Sequence, residues 1–298
     1  MLRRTASLTA EGATSAQIRT RLAKGHLYAV RRGVYADDPL PAPRTVERHR
    51  QLIEATMPLL LEESVVSHAS AAVLHGLPVW RERLERVTVT RPGVPGNRSR
   101  HVHLHRAELP DTDVTTVAGF RVTTMARTVL DLARLVRFEE AVALADAALA
   151  KEVPRALLQE RAAELVRVRG ARLLRSAIEF ANPLAASAGE SFSRVVLHRL
   201  ELPAPELQVR ILHSRTGVFL GRPDFVWHAE RVIGEFDGAV KYTGELGDQT
   251  RAIREEKERE NALRGDGWGV ARWGWGDLYH PERILERWQA QRRQPSGA

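Results

Sequence analysis

The stretch from Gly221 to Tyr242, GRPDFVWHAERVIGEFDGAVKY, sets three acids and a lysine around two short apolar runs, and no other segment constrains the chain as tightly. Phe225, Val226 and Trp227 form one β-prone run and Arg231 to Phe236 another, with His228 to Glu230 as the turn of an antiparallel hairpin. That pairing brings Asp224, near the start of the first strand, beside Glu235, near the end of the second. Side chains alternate along a strand, so Glu235 and Asp237 share a face while Phe236 points to the other, into the core. Carboxylates converging at a strand end make a hard oxygen cage suited to Mg²⁺ or Mn²⁺. An ion held there lowers the pKa of a bound water and neutralises charge building on a phosphate, and a nearby lysine orients that water. The expected chemistry is phosphodiester cleavage.

Lysine usage sharpens the expectation. The chain holds 4 lysines (Lys24, Lys151, Lys241, Lys257) against 41 arginines, and two of the four fall between Asp224 and Glu260. Arginine does not readily give up a proton, so a site needing a compact, titratable cation resists replacement by it. Lys241 and Lys257 are therefore the candidate catalytic lysines.

Pro223-Asp224 and Glu235-x-Asp237-Gly238 resemble the motif of the PD-(D/E)xK restriction-endonuclease-like nucleases, in the branch related to very-short-patch-repair endonucleases. The resemblance implies Asp224, Glu235 and Asp237 as metal ligands, and it makes Glu190, on a helix read from Ser187 to Leu200, the acid of the family's first helix. Asp237 departs from the pattern by standing where the family has its lysine, which leaves Lys241 or Lys257 to replace it. Around the motif, Leu207 to His213 and Val218 to Arg222 bracket a hairpin loop, Asp248 to Arg264 reads as a charged helix and Gly269 to Trp275 as a closing strand. The order is helix, three strands, helix, strand, over roughly residues 186 to 280, the core order of that superfamily. Each residue also has a plainer reading: Asp237-Gly238 as a turn pair, Asp224 as a strand-entry residue, Glu255, Glu256, Glu258 and Glu260 as a solvated helix face, and Lys257 with Glu260 as a surface ion pair.

Charge points to the other end of the chain. The net charge is +8, and residues 1 to 50 contain 10 Lys/Arg against 4 Asp/Glu, whereas residues 186 to 298 contain 17 of each. Polyanion attraction is expected from that N-terminal cluster. Thr14-Ser15 caps a helix through Ile18 and Leu22 that ends at Lys24-Gly25. Leu27 to Val30, Arg31-Arg32-Gly33 and Val34-Tyr35 then read as strand, basic turn, strand. A helix followed by an arginine-tipped hairpin is a winged helix-turn-helix pattern, with Arg19, Arg21, Lys24, Arg31 and Arg32 as candidate DNA contacts. The segment KGHLYAVRRGVYAD resembles the N-terminal domain of AbiEi-type antitoxins of type IV toxin–antitoxin systems, which implies DNA and a cognate toxin as partners.

SHASAAVLHGLPVW, Ser67 to Trp80, reads as a capped helix ending at Gly76 and resembles the segment that follows the winged helix in those antitoxins. Val87 to Thr90 and His101 to His105 are expected strands, and a helical region runs from Arg127 to about Arg175. His101, His103 and His105 alternate and so would share one face of a solvent-facing strand. His68 and His75 lie on one face of their helix, where packing or capping accounts for them.

The expected architecture is α+β or α/β and multidomain. It comprises a winged-helix domain at 1–50, an antitoxin-like α+β middle domain at 51–185 and a restriction-endonuclease-like domain at 186–298, with Pro183 to Ser187 as the linker. The absence of cysteine excludes disulfides and Cys-ligated metal centres, and with neither an apolar span of membrane length nor a signal-peptide core the chain is expected to be soluble, cytoplasmic and without a membrane partner. Three functions stay open: a Mg²⁺- or Mn²⁺-dependent endonuclease in a toxin–antitoxin or phage-defence setting, a non-enzymatic regulator whose nuclease-like fold is a binding module, and an antitoxin acting by direct contact with a toxin.

Overall fold

The computed structural model describes residues 1–93, 95–238 and 246–292, with the side chains of 246–253 and 255 outside that description. The chain begins with β1 (Leu2–Arg4), α1 (Thr5–Ala10), α2 (Ser15–Ala23), β2 (Tyr28–Arg31), β3 (Val34–Ala36) and α3 (Val46–Thr56). It continues through β4 (Val65–Val66), α4 (His68–His75), β5 (Val87–Thr90), β6 (Asn97–Arg98), β7 (Val102–His105), β8 (Val114–Val117) and β9 (Phe120–Thr123). Helices α5 (Met125–Ala133), α6 (Phe138–Ala150), α7 (Arg155–Ala163), α8 (Ala171–Phe180) and α9 (Ala188–Arg199) follow. The last part holds β10 (Glu206–Leu207), β11 (Ile211–Leu212), β12 (Phe219–Gly221), β13 (Phe225–Trp227) and β14 (Val232–Asp237), then α10 (Leu246–Gly265), β15 (Gly269–Gly274), α11 (Trp275–Leu278) and α12 (Pro281–Gln291). The protein is a mixed α+β chain of more than one domain. Among the described residues no helix is long and apolar enough to cross a membrane.

Two compact units divide it, Met1–Val136 with Val153–Arg175, and Arg137–Glu152 with Ser176–Ala298. The division does not follow the expected boundary at 185/186. Pro183 to Ser187 lies inside the second unit, where Ala185 is 6% exposed. The reason is α6: its Asp146 accepts from Arg194 of α9 at 2.8 Å and from the Asn182 backbone at 2.6 Å, so this helix belongs to the second unit.

In the first unit α2 starts on a capping box, with Gln17 N donating to Thr14 Oγ1 at 3.2 Å and Thr14 N to Gln17 Oε1 at 2.8 Å. Gly25 ends it at φ 69°, a left-handed position that glycine takes without strain. Strands β2 and β3 form the expected hairpin, and β1 adds antiparallel to β3 to make a three-stranded sheet. A six-stranded mixed sheet follows, ordered β6-β7-β5-β4-β9-β8, with β5–β7 and β4–β9 parallel. Its core is Ile53, Val66, Val87, Val89 and Val122, covered by the small side chains of α4.

In the second unit the main sheet runs β10-β13-β14-β15. The hairpin β13–β14 is antiparallel with Phe225 opposite Gly234, and β14–β15 is parallel with Glu235 opposite Arg272 and Phe236 opposite Trp273. Parallel neighbours need a crossover, and α10 supplies it. Adjacent residues of β15 point to opposite faces, and Trp273 donates to Ser193 of α9 while Arg272 pairs with Glu256 and Glu260 of α10. Helices α9 and α10 therefore cover opposite faces of the sheet. The approach of α9 is close: a Cβ on Gly189 would stand 1.9 Å from the Phe236 ring.

Candidate functional site

Asp224 enters β13 at the mouth of the second unit's sheet, and its carboxylate is fixed from two sides. Oδ2 accepts from Phe236 N at 2.8 Å and Oδ1 from Gln208 Nε2 at 3.1 Å. The same Gln208 amide donates to Glu190 Oε2 at 3.0 Å, so its two N–H bonds hold the two acids in one constellation. Gln208 reaches this position from a left-handed backbone, φ 54°, with its own N–H on Asp224 O at 3.2 Å. Glu190 is 7% exposed at the start of α9 and is fixed by Ala186 N (2.9 Å) and Ser187 Oγ (2.8 Å). A carboxylate in the first turn also faces the positive end of its helix.

Glu235 stands on the α10 face. Arg259 of α10 donates to Oε1 and Arg272 of β15 to Oε2, each at 2.9 Å. Arg272 also pairs with Glu256 (3.2 Å) and Glu260 (3.1 Å). Burial lowers the Arg272 pKa, and Glu235 and Glu260 more than reverse the effect, so the guanidinium is held above its ordinary value. The helix face expected to be solvated thus turns two of its acids toward the sheet. Glu260 pairs with Arg264 at 2.8 Å and with Arg272, in place of the expected Lys257.

Of the remaining candidates, Asp237 is exposed at the end of β14 and Lys257 is exposed on α10, while Lys241 lies outside the described residues. Among the described residues no three His, Asp or Glu side chains are gathered to share an ion. Mg²⁺ needs less than that, since it keeps several waters and is commonly held by one or two carboxylates plus phosphate oxygens. Asp224 and Glu190 are the two carboxylates brought together here, while Glu235 is paired with Arg259 and Arg272. Gln208, Arg259 and Arg272 are the participants that sequence reading did not name. A signal existed for the arginines, because Arg272 falls on the closing strand in register with Glu235, and Glu256, Arg259, Glu260 and Leu263 recur at helical spacing.

At the basic front, Arg19, Lys24 and Arg32 are exposed and Arg21 is half-buried. Arg31 is also half-buried, its pKa is lowered by burial, and its Nε and Nη1 have no hydrogen-bond partner among the described residues. The tip of the hairpin is Arg32-Gly33, with Gly33 at φ 80°.

The histidine strand is not solvent-facing. His68, 5% exposed, stacks on His105 with ring centroids 3.8 Å apart, and His103 lies 4.0 Å from His105. His75 Nε2 meets Thr123 O at 2.7 Å, a packing contact as expected.

No family model matches the chain. It is 31% identical over 192 residues, 63% of this chain and 69% of the relative, to two Mycobacterium tuberculosis proteins, uncharacterized protein MT2308 and uncharacterized protein Rv2248. The chain belongs to the family of these mycobacterial proteins. Among solved structures it is similar to the crystal structure of RV2827C protein from Mycobacterium tuberculosis, with TM-score 0.38 and 14% identity over 65% of this chain and 75% of that one.

Proposed function

We propose that this protein binds DNA through its basic N-terminal helix and hairpin, read as a winged helix, and carries in its second unit a PD-(D/E)xK-like, metal-dependent endonuclease site, in a toxin–antitoxin or phage-defence setting. The observation that carries the reading is the bridge of Glu190 and Asp224 by Gln208, beside the backbone of Phe236 between Glu235 and Asp237. It is supported by the four-stranded sheet β10-β13-β14-β15, preceded by α9, with α10 crossing to a parallel final strand; β11 and β12 stand between β10 and β13 in a sheet of their own. Phe236 N and Gln208 aim the Asp224 carboxylate, Ser187 and Ala186 aim Glu190, and the amide between them screens their mutual repulsion. A divalent ion held there supplies charge neutralisation on a phosphate and a more acidic bound water.

A second reading rests on the arginine pair at Glu235. Two guanidiniums neutralise the acid that the motif assigns to the metal. In that reading the second unit is a non-cleaving binding module and the protein is a DNA-binding regulator or antitoxin. The test incubates the purified chain with supercoiled plasmid and single-stranded DNA in Mg²⁺ or Mn²⁺. Metal-dependent cleavage lost in Asp224→Ala supports the nuclease, and DNA binding without cleavage supports the regulator.

A further inference from the structure

The first unit contains a cavity of about 700 Å³ on its six-stranded sheet, lined by none of the acids discussed above. Its wall carries the imidazole column His68, His105, His103, and five arginines line it against two glutamates, Glu82 and Glu85. Glu85 is paired with Arg44 and stands 3.9 Å from Arg86, and Arg134 is 3.9 Å from Asp131, so the wall keeps an excess of positive charge.

The histidines pack on one another, and His103 meets Arg98 of the wall. Arg98 Nε donates to His103 Nε2 at 3.1 Å, which requires a neutral His103 with a lone pair there. Burial and neighbouring arginines push His68 and His105 down to about 3, so both are uncharged at neutral pH. Thr90 Oγ1 donates to Ser67 Oγ at 2.8 Å, and Ser67 Oγ lies 3.0 Å from His68 Nδ1. His68 Nε2 is buried and has no partner among the described residues. A buried polar atom without a partner is costly. His68 is also held at φ 49°, in the left-handed region.

We propose that this cavity binds a phosphate monoester the size of a mononucleotide, with Arg98 and Arg134 meeting the phosphate. Guanidiniums match phosphate oxygens in geometry and charge. A volume of about 700 Å³ lies in the range of small-molecule sites and exceeds what a bare phosphate fills, so the ligand has an organic body.

Calorimetric titration of the full chain with AMP, inorganic phosphate, adenosine and a DNA duplex tests the assignment. AMP should bind saturably, phosphate more weakly and adenosine not at all. Arg98→Gln and Arg134→Gln should each weaken AMP about tenfold or more, and exposed Arg106→Gln should not. Thermal melting of each variant verifies folding, and the two independent substitutions keep the test decisive if one fails to fold. No saturable AMP binding, adenosine binding as tightly as AMP, equal AMP affinity in folded pocket variants, or binding of the duplex alone would each overturn it.

Discussion

Arg272 sits directly across the parallel β14–β15 pair from Glu235 and donates its Nε to Oε2 at 2.9 Å. One ion pair thus ties the closing strand to the acid of the nuclease-like motif, and Arg259 completes the clamp from α10. Removing one arginine leaves Glu235, 12% exposed, with half its neutralisation. We expect Arg272→Gln to lower stability by about 1–2 kcal/mol, between the values for surface and buried pairs, as measured by chemical denaturation.

Asp113, 1% exposed, accepts from Arg161 at 2.7 and 2.8 Å and from Arg127 at 2.8 Å. Arg127 is shared with Asp131, so the loss of Asp113 leaves two guanidiniums short of a partner in a buried setting. Asp113→Ala is expected to cost roughly 3–5 kcal/mol in equilibrium unfolding, and Asp131→Ala less because Arg127 keeps Asp113.

The helix N-terminus that presents Glu190 depends on a missing side chain. A Cβ at Gly189 meets the Phe236 ring at 1.9 Å, so Gly189→Ala must displace α9 or β14. The expected loss is about 1–3 kcal/mol, and Gly189→Ala combined with Phe236→Leu should recover part of it in melting experiments.

The histidines of the first unit give the chain an acid-sensitive stability. His68 and His105 have folded pKa values near 3, below the ordinary 6.5, and burial lowers His49 as well. Between those limits the unfolded chain binds more protons, so stability rises with pH across the window from about 3 to 6.5 and falls on acidification. The limiting slope for fully buried His68 is about 1.4 kcal/mol per pH unit. Melting temperature should drop from pH 7 to pH 5, and His68→Gln should flatten that dependence; a flat wild-type profile would contradict the account.

What could be read from the sequence was local. The helix at Thr14 and the β13–β14 hairpin follow from caps, alternation and turn residues acting within a few positions, whereas five strands, not the expected three, stand between α9 and α10, because β11 and β12 pair in a sheet of their own. Strand β1 was not legible, because Leu2–Arg4 is too short and too charged to show alternation and is ordered only by pairing with β3. The boundary between units was missed for a related reason: α6 joins the second unit through Asp146 and Arg194, 48 positions apart. The acids Asp224, Glu235 and Glu190 were legible as a motif, whereas Gln208, Arg259 and Arg272 belong to the site through pairings that no local pattern records. The histidine strand was misjudged because alternation reveals a shared face but not what covers it, and here His68 covers it from α4.

The central proposal is that Asp224 and Glu190, with Glu235 opposite on the next strand, serve a divalent ion that cuts DNA. Plasmid nicking by the purified full chain in Mg²⁺ or Mn²⁺, run beside Asp224→Ala and Glu235→Ala and an EDTA control, tests it most directly. The account predicts cleavage by the wild type that EDTA abolishes and that either substitution reduces by about 100-fold or more. Absence of metal-dependent cleavage, or equal cleavage by the two variants, would contradict it.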